Sequence, residues 1–293
     1  MKDPVSYNIV NARVHSILTT PSDADHSRFR RLLAHGFSEK AIREQEPLLL
    51  QYIDLLIRGL HEHAKDGPQD MVAWYNWATF DLIGDLTFNE SFDCLEKATY
   101  HPWIQFVFGN IKAASIMGAL KSFPSIHYPL MMLFKKQITE KTQQNAAFTK
   151  KKVASRLAAQ TDRADFLGYA LHHKGKETEM SKEEIEATSG VLVLAGSETT
   201  ATLLSGVTYL LLKNPRVLDL LKAEVREKFA NEDEINLTGV KTLTYQFAVL
   251  QEAMRIFPPV PIGSPRLIPP QGDAITGYKL PAGVSNSRSS FYE

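Results

Sequence analysis

The chain has 293 residues, of which 44% are hydrophobic and 23% charged, the composition of a globular domain with enough apolar side chain for a sizeable core. Lys plus Arg and Asp plus Glu each number 33, so there is no basic surplus for general binding of nucleic acid. The single cysteine, Cys94, excludes an intramolecular disulfide and a multi-cysteine zinc site.

The first ten residues are polar and lack the apolar run of a signal peptide. Apolar runs such as 191–195 are far shorter than the ~20 residues of a spanning helix. The expectation is a soluble chain, cytoplasmic or at a membrane surface. Pro21-Ser22-Asp23-Ala24-Asp25 carries the capping residues and first-turn acids of a helix start. A basic helix over 26–36 follows. Residues 39–62 predict a longer amphipathic helix, because Leu49, Ile53, Leu56, Ile57 and Leu60 recur at helical spacing. Lys65-Asp66-Gly67-Pro68 ends it. Residues 71–88, apolar and aromatic, predict a buried helix, and 89–102 are irregular. Residues 103–120 predict another helix. Pro124 and Pro129 punctuate the stretch before a basic amphipathic helix over 133–161, and 172–178 is a polar loop.

Ser181-Lys182-Glu183-Glu184 is a capping box, with Ser and Glu three apart. Helix is permitted from 182 to 213, about 48 Å at 1.5 Å per residue, enough to cross a domain. Asn214-Pro215 places a capping Asn before a helix-opening Pro, with helices over 215–230 and 243–256. Pro and Gly crowd residues 258–283, where short strands and turns fit. The whole chain, 1–293, reads as one mainly α domain with a long central helix and a short C-terminal β/turn region.

Three groups carry chemistry. Leu194-Ala195-Gly196-Ser197-Glu198-Thr199-Thr200 is an unusual helix centre, since Gly costs about 1 kcal/mol relative to Ala there. Small residues suit a close helix crossing or the approach of a flat ligand. Thr hydroxyls bond within the helix or face a ligand and distort it locally, and Glu198 beside them is a proton source. Glu252 and Arg255 pair on one helix face. His26-Ser27-Arg28-Phe29-Arg30-Arg31 is either a solvated basic face or an anion clamp built on planar guanidinium forks. His61, His63, His172 and His173 read as solvated rather than metal-binding.

Together these groups resemble the cytochrome P-450 family of haem-thiolate monooxygenases, most like fungal members in secondary metabolism. The family's oxygen-activation motif, Ala/Gly-Gly-x-Asp/Glu-Thr-Thr/Ser, matches Ala195 to Thr200 at every position. Its Glu-x-x-Arg matches Glu252 and Arg255. Its Trp-x-x-x-Arg matches at Arg30, with His26 replacing the Trp. The resemblance implies a haem whose propionates meet His26, Arg30 and Arg266, and a proton relay by the catalytic pair Glu198 and Thr199. It implies a bracing pair in Glu252 and Arg255, and Leu194, Ala195, Val260 and Gly263 facing substrate. A lipophilic small-molecule substrate, a flavoprotein reductase and the endoplasmic reticulum membrane are implied as surroundings.

The family's axial-cysteine loop, Phe-x-x-Gly-x-Arg-x-Cys-x-Gly, has no match. Cys94 lies in Ser91-Phe92-Asp93-Cys94-Leu95-Glu96, without that loop's Gly and Arg, and is expected to be a small buried hydrophobe. No metal ligand is assigned. The family's anchor region and haem-cysteine region are expected to lie outside residues 1–293, leaving an incomplete domain that is inactive alone and binds haem poorly. A non-catalytic helical remnant or scaffold is the alternative. Residues 285–293 depart from the apolar strand the family places there. Residues 103–134, with Trp103, Phe106, Phe108, Ile111, Ile116, Met117, Phe123, Met131 and Met132, predict either a substrate lid touching membrane, split in two by its prolines, or ordinary core.

Overall fold

The computed structural model describes residues 2, 7, 14–105, 107–109, 116, 120, 123–159, 165–168, 179–261, 263 and 265–286. The polar loop 172–178, Phe106, Ile111, Met117 and the Met131 side chain lie outside the described residues. Helix α1 (Asp23–Ala34) starts at Ser22, whose hydroxyl accepts from the Asp25 N–H. After a 3-10 turn, Ser38 caps α2 (Glu39–His63) in the same way through the Ala41 N–H. Helix α3 (Met71–Phe88) opens on Asp70, which accepts from the Val72 and Ala73 N–H groups, and stops at Asn89 in the left-handed conformation. Its sequence is apolar on every side, and Trp74, Phe80, Ile83, Leu86 and Phe88 are all buried.

One-turn α4 (Cys94–Lys97) interrupts the irregular stretch, and α5 (Pro124–Ala158) follows. Helix α6 (Lys182–Lys213) is the predicted central helix, with both halves of its capping box formed. Helices α7 (Pro215–Lys228), α8 (Leu237–Val240) and α9 (Thr244–Ile256) complete the helical part. The α3–α6 interface is the largest between elements, and α6 also packs on α5, α7 and α9. By length and composition alone α6 is apolar enough to cross a bilayer; here it is the packing axis of the domain.

The C-terminal part forms two antiparallel pairs. Strand β1 (Arg266–Leu267) pairs with β4 (Ser285–Asn286), setting Arg266 opposite Asn286. Strands β2 (Asp273–Ile275) and β3 (Tyr278–Leu280) form a hairpin turned by Thr276 and Gly277, both at positive φ. Ser285 and Asn286 therefore pair although their side chains are polar, because the ladder uses backbone groups.

The structure corrects three expectations. Asn214 stands at the N-cap of α7 with Pro215 after it, but its side chain makes no capping bond there; its Nδ2 donates to the Leu210 carbonyl at 2.8 Å and finishes α6. Pro124 marks a boundary in 103–134 as expected, but Pro129 does not split the helix that begins there. Pro124 is the first residue of α5 and Pro129 lies near its start, where a missing N–H removes little of the bond ladder. Helix α6 is continuous as expected, but the local distortion expected at its motif is absent from the helix, which is α throughout.

Candidate functional site

The motif on α6 has two faces. Gly196 and Ser197 point to α3: a Cβ at 196 would lie 2.6 Å from Ile83 Cδ1, and Ser197 is fully buried. The small residues here serve a close helix crossing. Ala195 and Thr200 are exposed, Glu198 and Thr199 are half-buried, and Leu194 packs against the core. Ser197 Oγ donates to the Val193 carbonyl and Thr199 Oγ1 to the Ala195 carbonyl, each at 2.6 Å. The hydroxyls thus spend their protons inside the helix and keep oxygen lone pairs for an outside donor. Burial raises the Glu198 carboxyl above its ordinary pKa with no other cause acting on it.

A second cluster gathers residues far apart in sequence. His26 and Arg30 are one turn apart on α1, and Lys2 and Arg266 lie close enough to act on the imidazole. Burial holds the His26 pKa down, then Lys2, Arg30 and Arg266 add to this, and Asp23 opposes it. Arg266 Nη1 donates to Tyr7 Oη, and its guanidinium lies 5.2 Å from the Tyr7 ring centroid. Lys2 bridges to Arg266 through its backbone and donates Nζ to the Ile17 and Leu18 carbonyls. Of the predicted residues, Arg30 and Arg266 both act electrostatically on His26, and Lys2 and Tyr7 join this group through their contacts with Arg266. Neither addition had a sequence signal, because nothing in an N-terminal Lys or Tyr marks a partner at position 266.

Glu252 and Arg255 form a bidentate pair on α9, Nε to Oε2 and Nη2 to Oε1 both at 2.7 Å, on an exposed face. Val260 is exposed and Gly263 half-buried in the segment that follows.

Two ends of a haem can be tested against these residues. Arg30, Arg266 and Lys2, which all act on His26, fit a ligand carrying carboxylates. Cys94 does not fit as a thiolate. It is 1% exposed in the core, its Sγ accepts from the His101 N–H at 3.3 Å, and burial and Asp81 push its thiol up to about 12. Asp81, itself buried, accepts from the Phe92, Cys94 and Leu95 N–H groups and fixes that turn. Among the described residues no group of three or more His, Cys, Asp and Glu converges on a metal position.

The sequence profile of the cytochrome P-450 family matches residues 2–286. The averantin hydroxylase of Dothistroma septosporum is 44% identical over 284 residues, 97% of this chain and 54% of that protein. The trichothecene C-15 hydroxylase of Fusarium sporotrichioides is 41% identical over 284 residues, 96% of this chain and 57% of that protein. The chain spans about half the length of the curated relatives it matches. The solved cytochrome P450DA heme domain has the same fold, with a TM-score of 0.74 at 22% identity over 97% of this chain and 65% of that one. By its sequence from residue 2 to 286 and by its fold, the chain belongs to the cytochrome P-450 family.

Proposed function

We propose that these residues form the larger helical part of a haem-dependent monooxygenase that hydroxylates a lipophilic secondary metabolite. Two relatives named for hydroxylating averantin and a trichothecene support the reaction type. The observation that carries the reading is that Arg30 of α1 and Arg266 of β1, with Lys2 bridged to Arg266, all act on His26. Two guanidinium groups directed at one region suit an anion, and the carboxylates of a ligand supply it. His26, Arg30 and Arg266 would hold the propionates of haem. When bound, haem supplies the chemistry of dioxygen activation.

The protein's own residues move protons and shape the pocket. Glu198 retains a proton further toward neutral pH than an open carboxyl does, because burial disfavours its charge. Thr199, next on the helix, offers its oxygen to a donor while its own proton stays on Ala195. Leu194, Ala195, Val260 and Gly263 face substrate and keep water from it. Glu252 and Arg255 brace the haem-binding region, and a flavoprotein reductase delivers the electrons. The exposed apolar start of α5 rests on a membrane surface. By themselves the 293 residues do not oxidise substrate, because their one cysteine is Cys94, a buried thiol held protonated.

Binding of mesoporphyrin IX and of its dimethyl ester tests the reading. The diacid binds the chain at least tenfold more tightly, and R30A with R266A removes the difference. Equal binding of acid and ester by the unaltered chain overturns it. Addition of haem, reductant and carbon monoxide gives no thiolate-type Soret band; such a band would overturn the inactivity.

A further inference from the structure

The strongest polar contact between α1 and α6 lies outside the family motifs. Arg28 Nη1 donates to the Glu179 carbonyl at 2.7 Å and to Glu184 Oε2 at 3.0 Å. Its Nη2 donates to Glu184 Oε1 at 2.7 Å and to Asp25 Oδ1 at 3.0 Å. The guanidinium is thus bidentate on Glu184, the geometry in which an Arg fork is most directional. Glu184 is also the acid of the capping box, with Oε2 accepting from the Ser181 N–H at 2.8 Å. One carboxylate therefore fixes the start of α6 and holds α1 against it.

Arg28 is two residues from both His26 and Arg30, about 200° around the helix from each. One side of α1 faces the central helix while another presents His26 and Arg30. Phe29, Leu32 and Leu33 bury a further side of α1 in an apolar contact that carries no directional bond. The Arg28–Glu184 fork supplies that direction.

We propose that Arg28 and Glu184 are positioning residues that set the rotation of α1 on α6 and so hold His26 and Arg30 facing Lys2 and Arg266 before any ligand arrives. The inference rests on the reading of that cluster as an anion site. It predicts that loosening the fork spreads the cations while the core remains folded.

Titration of His26 by NMR in the full chain, assigned with H26N, reads this without a ligand. The charged groups acting on His26 are Lys2, Arg30, Arg266 and Asp23. In E184Q the amide keeps an acceptor for Ser181 but loses the ionic fork; in R28K the charge stays and the fork goes. Release of α1 moves the His26 midpoint up toward its ordinary value in both variants. The direct charge effect of E184Q has the opposite sign, since removing an anion lowers a histidine midpoint. R43A, which breaks only the exposed Arg43–Glu39 pair on α2, leaves the midpoint unchanged. An unchanged or lowered midpoint in folded E184Q and R28K overturns the proposal. Preference for mesoporphyrin IX over its ester is measured alongside. If the unaltered chain shows no preference, the anion-site reading falls, while the positioning claim is still decided by His26. If it shows one, E184Q and R28K reduce it at least threefold.

Discussion

Gly196 lies so close to Ile83 that a Cβ would stand 2.6 Å from Ile83 Cδ1 and 3.0 Å from Cγ1. The motif glycine is therefore a packing requirement of the α3–α6 crossing, whatever else its neighbours do. Ala would gain about 1 kcal/mol in helix propensity. Overpacking costs about 1–3 kcal/mol, and Ile83 is buried with little room to move. G196A should lower stability in urea unfolding by about 1 kcal/mol, the balance of these terms. I83V in the same chain should restore most of it. A stabilised G196A would mean that Ile83 yields freely.

A buried ion pair closes the end of α5. Arg156 Nε donates to Asp165 Oδ2 at 2.6 Å, with the side chains 2% and 0% exposed, and Asp165 Oδ1 accepts from the Gly168 N–H at 2.6 Å. D165N leaves a buried guanidinium without its anion and should cost about 3–5 kcal/mol. R156M with D165L removes both charges and should recover most of the loss, apart from the orphaned Gly168 N–H. The two urea midpoints decide it, and a D165N midpoint equal to that of the unaltered chain would refute the account.

Glu198 gives a pH dependence with a definite sign. Its folded pKa is raised above the ordinary 4.5, so the folded chain binds this proton more tightly than the unfolded chain. The contribution is fully present below 4.5 and is lost as pH rises through the higher folded value. E198Q, neutral at every pH, should remove that part of the slope in urea midpoints taken from pH 4 to 8, most visibly just above the ordinary carboxyl range. A slope unchanged in E198Q would show that the carboxyl is not held protonated by the fold.

The sequence displays what short-range chemistry controls. The capping box at Ser181, the apolar run of α3 and the caps at Ser22 and Ser38 are local features, and each appears where the residues place it. Within the candidate site, the pairing of positions 26 and 30 with 266 was suggested only by resemblance, since no periodicity links α1 to a strand near the other end. Lys2 and Tyr7 could not be found at all, because their partners are set by tertiary packing. Asn214 shows a local ambiguity: an Asn between two helices serves either end, and the choice went to the Leu210 carbonyl. Trp103 shows the same limit for burial. It stacks 5.0 Å from Phe148 and donates Nε1 to Asn145 at 2.6 Å, placing it in the core rather than in a lid.

The apolar residues at the end of that segment behave differently. At the start of α5, Phe123 is 61%, Tyr128 71%, Met132 85% and Leu133 75% exposed, and Ile126 is exposed beside them. They are too many for scattered surface positions, and Lys135-Lys136 follows at once in sequence. An apolar helix start with basic residues next to it suits an anionic lipid surface. Each large apolar side chain buried contributes about 1.5–3 kcal/mol, so removing four should abolish measurable adsorption. F123S with I126S, M132S and L133S should lower the fraction sedimenting with anionic vesicles at least tenfold, and should lower binding to neutral vesicles as well. The urea midpoint should hardly change, since these side chains give up little burial in the fold. Undiminished sedimentation of a folded quadruple variant would mean that lipid contacts the chain elsewhere.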